Sequence, residues 1–256
     1  AARQRAVAAL LSPSDAALLS DPNNTLGIEY GRALLRVGAA PALFTIPRTG
    51  AAHDVTPENA GGYSASAIRH LLAEGRRADA LSRMVPAMRA VYGRAPVFAA
   101  ACERAILARL RSMTPAEFDA LDTGHEGVGQ RLYNASRNAA TLDAVLDNAK
   151  TKRYAYARLR RMVLWAYLGL SPAELPASVP YLRVLAANEI GRALLGRMRK
   201  TARLPVITKP AAIRSLSPDA QRLFETESRA ADLYALAYPE LTEACGSLWR
   251  QNPVMP

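Results

Sequence analysis

The sequence predicts a mainly α-helical protein with a few short strands, and three observations lead to that prediction. Half of the 256 residues are hydrophobic and 21% are charged, which is typical of a globular chain with a core of its own. Most segments between the glycine and proline breaks are rich in helix-forming alanine and leucine. Three short stretches are apolar enough to be strands. The longest apolar runs fall far short of the roughly 20 residues of a bilayer span, so an integral membrane protein is excluded.

Two helices and a strand are predicted at the start of the chain. Alanine and leucine favour a helix over residues 2–11, which ends at a Ser-Pro-Ser sequence. A polar turn then precedes a helix over 25–37, which Gly38 closes. Residues 42–46 are short, apolar and partly β-branched, so the sequence predicts a buried strand there.

A loop and a third helix follow this strand. Residues 50–63 contain glycine, proline, asparagine and aspartate without any periodic pattern, which is typical of a functional or mobile loop. Ser64 and Ser66 offer hydroxyl groups that can cap a helix over 65–74, and Gly75 supplies its end. These elements form a first domain, predicted to span residues 1–80.

A second domain, residues 81–256, is predicted to be almost purely helical. Proline directly after Thr114 and after Ser217 marks the first turn of two of its helices. Strands are expected only within 181–186 and 204–207. The candidate helices are 97–112, 115–121, 128–139, 141–149, 153–168, 189–200 and 218–237.

The two cysteines, Cys102 and Cys245, exclude a disulfide framework and give no support to a zinc site, because they are far apart and lack CxxC spacing. We expect both to be buried as small hydrophobic residues in a reducing compartment. The net charge of +11 and the isoelectric point near 10.1 favour a polyanionic partner, either a nucleic acid or a phosphate-bearing ligand. Coding bias is the alternative source of part of the arginine excess.

Three segments of the first domain are candidates for anion contacts. The Pro-Asn-Asn-Thr turn at Asn23 opens a helix, whose free N–H groups attract anions; a simple asparagine N-cap is the alternative. Arg48 follows the predicted strand beside a flexible glycine, where α/β proteins place ligand contacts; a solvated arginine is the alternative. Ser66 and Arg69 lie within one turn of a helix start, which suits phosphate, although serine caps are common.

Taken together and in order, these segments resemble the tRNA(Met) cytidine acetate ligase family of the nucleotidyltransferase-like superfamily. The matching blocks are PNNTLGIEYGRAL, FTIPRTGAAHD and SASAIRHLL, followed by TPAEFDAL, KTKRYAYARLRRMVLWAYLGL, PYLRVLAANEIGRALLGRMRK and LPVITKP. The resemblance covers most of the chain. It implies that the first domain is the C-terminal part of a Rossmann-like nucleotidyltransferase domain, and that the second is a basic, tRNA-binding helical domain.

The resemblance also implies an activity. ATP and acetate form acetyl-adenylate, and the acetyl group passes to N4 of the wobble cytidine of elongator methionine tRNA. ATP is then a co-substrate accompanied by Mg²⁺, with no tightly bound metal or organic cofactor, in a cytoplasmic enzyme without a membrane partner. The ATP contacts implied by the matching motifs are Asn23, Asn24, Arg48, Thr49, Ser66 and Arg69.

No catalytic base is predicted, and neither is an oligomeric state. His53 and Asp54 resemble the family's Tyr-His-Asp sequence, but Ala52 replaces the usual aromatic residue. We therefore interpret His53 as a loop histidine that packs locally or lies in solvent.

The sequence departs from the family in one important respect, because it has no HxGH nucleotide-binding signature. The chain is therefore expected to be a fragment; supply of the missing part by another polypeptide and a degenerate relative are the alternatives. We expect it to be inactive alone. Two other functions stay open: a non-catalytic helical RNA-binding or interaction module, and a small-molecule adenylyltransferase.

The densest positive segment, residues 150–161, is predicted to form a basic helix. At ~100° per residue its cations share one side, with Tyr154 among them as a platform on which a base can stack. The predicted tRNA-binding cations are Lys150, Arg153, Arg158, Arg160 and Arg161. The apolar side, expected to pack on the domain, comprises Ala155, Leu159, Met162, Val163 and Ala166. A solvated amphipathic face is the alternative.

Overall fold

Helices dominate the computed structural model, which confirms the predicted fold class; it describes residues 2–46, 64–92, 96–122, 126–241 and 244–255. The chain divides into two units, Ala1–Pro96 and Val97–Pro256, which are taken in turn below. Among the described helices, none combines the length and the apolar character that crossing a bilayer requires.

The described part of the first unit consists of short helices joined by turns. The helices are α1 (Ala2–Ala8), α2 (Pro13–Leu18), α3 (Pro22–Arg36), α4 (Ala65–Ala73), α5 (Arg77–Ser82) and α6 (Pro86–Val91). The Ser-Pro-Ser sequence, predicted to end a helix, also begins α2, because the Ser12 Oγ accepts the N–H of Asp15 at 3.2 Å. Helix α4 is confirmed as predicted: Ser64 caps its start, and Gly75 follows it with a φ of 75°.

The strand predicted over residues 42–46 is wrong. These residues belong to no strand, and the side chains of Phe44 and Ile46 are 89% and 81% exposed. A strand needs a neighbouring strand to satisfy its backbone N–H and C=O groups, and no segment in the described part of this unit pairs with it.

The second unit is a helical domain with one small parallel sheet in its described residues. Its α-helices are α7 (Glu103–Ser112), α8 (Pro115–Asp119), α9 (Val128–Asn138), α10 (Leu142–Ala149), α11 (Tyr156–Leu168), α12 (Glu189–Thr201), α13 (Pro218–Ala235) and α14 (Ser247–Arg250). Among the described residues of this unit, 3₁₀ turns cover Ala99–Cys102, Pro172–Glu174 and Pro210–Ser215. The predicted strands are confirmed as β1 (Leu182–Arg183) and β2 (Val206–Ile207), with Leu182 opposite Val206.

A first hydrophobic core lies among α7, α8, α9, α10 and α11. Its central side chains have no exposed surface, among them Leu110, Phe118, Leu132 and Leu159. Helices α8 and α9 approach each other closely at Gly129, where an added Cβ would lie 2.8 Å from the Asp119 Cα. The apolar faces of these five helices therefore form one continuous core.

A second, smaller core surrounds the sheet. Tyr181, Ile207, Ile213 and Phe224 are buried there, and the Phe224 and Trp249 rings meet edge to face with their centroids 4.5 Å apart. The C-terminal segment joins this region through the backbone of Val254. Its N–H donates to the Leu185 carbonyl and its carbonyl accepts the N–H of Ala187, both at 3.0 Å.

Several arginines of the second unit bind the carboxyl ends of its helices. Arg131 donates to the last two carbonyls of α10 at 2.8 and 3.0 Å. Arg229 donates to two carbonyls at the end of α11 at 3.4 and 3.1 Å, and Arg137 does the same at the end of α7. These carbonyls have no partner within their own helices, and they lie at the negative end of the helix dipole. Part of the positive charge therefore serves the fold.

The two cysteines differ in exposure. Cys102 is buried against α7, as predicted, whereas Cys245 is exposed, so that prediction is wrong. Cys245 lies directly before Gly246, the N-cap residue of α14, which has a φ of 82°.

Candidate functional site

The predicted ATP contacts are described in part. Arg48 and Thr49 lie outside the described residues, as do His53 and Asp54. Of the other four predicted contacts, Asn23 and Asn24 lie in the first turn of α3. Ser66 and Arg69 lie in the first two turns of α4.

The start of α3 differs from the prediction. The helix begins at Pro22, three residues earlier than expected, and Asp21 is its N-cap in place of an asparagine. The Asp21 Oδ1 accepts the N–H groups of Asn23 and Asn24 at 2.6 and 3.4 Å. A carboxylate therefore already occupies the anion position at this helix end. The exposed amide side chains of Asn23 and Asn24 remain as possible ligand donors.

At the start of α4 the structure brings two predicted residues together. The Ser64 Oγ accepts the N–H of Ala67 at 3.2 Å and fixes the helix end. One turn further on, an Nη of the exposed Arg69 lies 3.5 Å from the Oγ of the half-buried Ser66. A hydroxyl and a guanidinium on one helical turn, close to a helix N-terminus, can donate together to phosphate oxygens.

The predicted basic helix starts later than expected. Helix α11 begins at Tyr156, so Lys150 and Arg153 precede it and do not share one helical face with the later arginines. The cause is local, because the Thr151 Oγ1 accepts the N–H groups of Arg153 and Tyr154, both at 3.1 Å, and holds a turn there. The predicted apolar side is confirmed for Leu159, Met162, Val163 and Ala166, which are buried, while Ala155 is exposed as the N-cap residue of α11.

Tyr154 is not a stacking platform, so this prediction is wrong. The residue is only 7% exposed, and its hydroxyl donates to the carbonyl of Glu126. A ring buried by its own domain cannot receive a base.

Arg158 is engaged within the second unit. One Nη lies 2.5 Å from an oxygen of Asp122, and the other lies 3.1 Å from an oxygen of Glu126. The hydrogen bond that Arg158 donates to Asp122 is the main reason that the pKa of Arg158 is raised above its ordinary value. The Arg158 side chain is 22% exposed and faces two carboxylates, so its charge is matched inside the fold. Sequence reasoning missed both acids, since they are more than thirty residues away from Arg158 along the chain.

Lys150 and Arg160 converge on a different aromatic ring. The Lys150 Nζ lies 5.5 Å from the centroid of the Tyr156 ring, and the Arg160 guanidinium carbon lies 5.6 Å from it. Tyr156 is 38% exposed, and its hydroxyl donates to Asp147, which raises the pKa of Tyr156. We call Lys150, Tyr156 and Arg160 the Tyr156 cluster.

The two remaining predicted cations lie near this cluster in the chain. Arg161 is exposed, and Arg153 lies 3.8 Å from Glu126. Across the described ranges, no group of three or more histidine, cysteine or acidic side chains is arranged to hold a metal ion.

Comparison with known proteins identifies similar chains. A sequence model of the family named HIGH Nucleotidyl Transferase matches residues 1–247. The tRNA(Met) cytidine acetate ligase of Latilactobacillus sakei is 33% identical over 207 residues, which are 76% of this chain and 51% of that protein. The tRNA(Met) cytidine acetate ligase of Acetivibrio thermocellus is 29% identical over 258 residues, which cover 93% of this chain and 61% of that protein.

Two solved structures share the fold. The crystal structure of Thermotoga maritima TmcAL (apo, form I) has a TM-score of 0.86 and 25% identity, covering 99% of this chain and 66% of that one. The structure of the same protein bound with alpha-thio ATP (form II) has a TM-score of 0.83 and 26% identity, covering 99% and 65%. This chain therefore spans between about half and two thirds of the length of these relatives.

Proposed function

The chain belongs to the HIGH nucleotidyl transferase family, and we propose that it supplies part of the ATP site and a tRNA-binding region of a cytoplasmic tRNA(Met) cytidine acetate ligase. The observation that carries this proposal is the family match over residues 1–247, joined by curated relatives of that name and by a solved relative that binds an ATP analogue.

The proposed reaction has two steps. An acetate oxygen attacks the α-phosphorus of ATP, the bond between the α- and β-phosphates breaks, and pyrophosphate leaves. The N4 amine of the wobble cytidine of elongator methionine tRNA then attacks the acetyl carbonyl, AMP leaves, and the amine gives up a proton. The adenylate is a mixed anhydride with a good leaving group, so the protein mainly positions the reactants and neutralises phosphate charge.

The ATP contacts are proposed on both described helix starts of the first unit. Ser66 and Arg69 suit the triphosphate, because their side chains meet on one turn of α4 and the guanidinium is exposed. Asn23 and Asn24 offer side-chain amides, since Asp21 already binds their backbone N–H groups. Arg48 and Thr49 complete the proposed set, and Mg²⁺ would accompany the phosphates.

For tRNA, we propose the Tyr156 cluster together with Arg161. The 38% exposed Tyr156 ring and the two cations near it combine the aromatic surface and the positive charge that RNA binding uses. Arg153 and Arg158 are weaker candidates, because both face Glu126 and Arg158 also binds Asp122.

Acetate-dependent exchange of pyrophosphate into ATP tests the proposed activity. The sequence contains no HxGH motif, so we propose weak ATP binding and no exchange for this chain alone. Fusion to the HxGH-containing half of a relative is expected to restore exchange. In that fusion, Arg69→Ala should lower exchange by about ten- to a hundredfold, as expected from the loss of a charge-assisted contact of roughly 1.5–3 kcal/mol.

Arg36→Ala is the matched control, since Arg36 is an exposed arginine in the last turn of α3. Equal rates in the two variants would remove Arg69 from the site. A folded fusion without any acetate-dependent exchange would reject the ligase, and tRNA binding by that fusion would then favour the non-catalytic RNA-binding module.

A further inference from the structure

A cationic groove runs along α12 in the second unit. It has a volume of about 580 Å³, and three cations line it: Arg192, Arg199 and Lys209. The other lining residues are Leu195, Gly196, Thr208, Asn252, Pro253 and Met255. Thr208 and Asn252 add a hydroxyl and an amide, and among the described residues no carboxylate lines the groove. The lining is therefore suited to a negatively charged ligand.

The cations are spaced along the groove. Arg192 and Arg199 are seven residues apart on α12, which places them about 20° apart around the helix and about 10 Å apart along its axis. Gly196 lies between them, and a Cβ added there would meet no atom within 4 Å. Arg192 and Arg199 therefore place one guanidinium group at each end of an open groove.

The opposite wall of the groove is held by the fold. Lys209 is the second residue after β2, whose Ile207 is buried in the second core. Asn252 and Met255 flank the segment whose Val254 backbone bonds to the strand region at 3.0 Å. The backbone that carries these side chains is thus fixed before any ligand arrives, which lowers the ordering cost of binding.

The same helix has a contrasting face. Arg197 lies about 160° around α12 from Arg199, on the side of the exposed Ile190 and Leu194. An apolar partner or a lipid surface would use that side. The side that faces the groove instead combines arginine guanidinium groups with hydroxyl and amide donors, and these are the groups that contact nucleic-acid phosphates.

We propose that the α12 groove binds the phosphate backbone of the tRNA, an inference that rests on the proposed function and adds a second contact region to it. The groove differs from the Arg158 region, where two carboxylates bind the guanidinium, because its described lining residues include no carboxylate. Successive phosphates lie along the groove, with Arg192 and Arg199 at its ends and Lys209 on the facing wall.

Filter binding of a methionine tRNA transcript to the 256-residue chain, at several salt concentrations, tests this proposal. Arg199→Gln should weaken binding about fivefold and flatten the dependence of log K on log salt by about one unit. Arg197→Gln removes the same charge from the opposite face of the same helix and should leave affinity and slope near wild type.

A second pair of variants adds a charge instead of removing one. Gly196→Glu places a carboxylate in the groove without a clash and should weaken binding about fivefold relative to Gly196→Gln. Both substitutions replace a helix-interior glycine, so the helix is expected to become more stable. Circular dichroism verifies that all four variants are folded.

The outcomes separate the two proposals. Wild-type binding with equal affinities for Arg199→Gln and Arg197→Gln, or for Gly196→Glu and Gly196→Gln, would overturn the groove and leave the ligase intact. A wild-type chain that binds no tRNA at any salt concentration would overturn the groove and the proposed tRNA-binding role together.

Discussion

The two units contain similar apolar patterns and bury them very differently. In the second unit, Phe118, Leu132 and Leu159 have no exposed surface. In the first unit, Leu35 and Phe44 are 82% and 89% exposed. Hydrophobic periodicity thus predicts where helices form, whereas burial depends on a second surface that the periodicity does not reveal.

The described part of the first unit has few side chains that its neighbours enclose. The buried ones there are Ala67, Leu71, Leu72 and Ala80, in and next to α4. All are contributed by one pair of helices, α4 and α5. We therefore expect the second unit to dominate the free energy of unfolding, and three pairs of matched substitutions test this difference.

The largest effect is expected from a pair of phenylalanines. Phe118→Ala removes a fully buried ring that packs against Tyr133, with ring centroids 5.7 Å apart, and should lower the free energy of unfolding by about 3–5 kcal/mol. Phe44→Ala removes an exposed ring and should change it by less than about 0.5 kcal/mol. Denaturant unfolding followed by circular dichroism measures both, and similar losses would show that the two units are packed alike.

An intermediate effect is expected from a pair of arginines. Arg158→Gln removes the guanidinium that binds Asp122 and Glu126 in a half-buried setting and should cost about 1.5–3 kcal/mol. Arg32→Gln breaks an exposed ion pair with Glu29, 3.2 Å long, on α3, and should cost less than about 1 kcal/mol. The same unfolding measurement applies; an Arg158→Gln protein as stable as Arg32→Gln would show that the Arg158 contacts contribute little.

The smallest effect is expected from a pair of helix caps. Thr114 and Glu117 form a capping box at the start of α8, so Thr114→Ala should cost about 1 kcal/mol. Ser12→Ala removes the cap of α2, which has no buried residue, and should hardly move the global transition. Amide hydrogen exchange would detect the local loss at α2. A Ser12→Ala effect as large as that of Thr114→Ala would mean that α2 unfolds together with the core.

Local signals predicted much of the fold. The Ser64 cap and Gly75 defined α4 from residues next to it in the chain, and proline after Thr114 and Ser217 marked α8 and α13. The start of α11 was missed because the Thr151 hydroxyl captures two N–H groups that a helix would otherwise use. Periodicity carries no information about such a competing hydrogen bond.

The sequence likewise predicted the contacts of the candidate site that join residues close together in the chain. The Ser66–Arg69 contact follows from their three-residue spacing on a helix. The Asp21 cap was also readable, since an aspartate directly before a proline is a common helix start. The carboxylates of Asp122 and Glu126 that bind Arg158 were not, because only the folded chain brings residues so distant in sequence together.

The tyrosines that the second unit buries or half-buries have a consequence at alkaline pH. Burial is the main cause that raises the pKa of Tyr167 to about 12, and its hydroxyl donates to the Leu233 carbonyl.

A pKa raised above the ordinary value of 10 means that the unfolded chain releases this proton more easily than the folded one. The stability that Tyr167 contributes is therefore fully present below the ordinary pKa of 10 and is lost as the pH rises through the raised pKa of about 12. Burial likewise raises the pKa of Tyr181 in the second core. At strongly alkaline pH the second unit is therefore expected to lose stability through these two tyrosines.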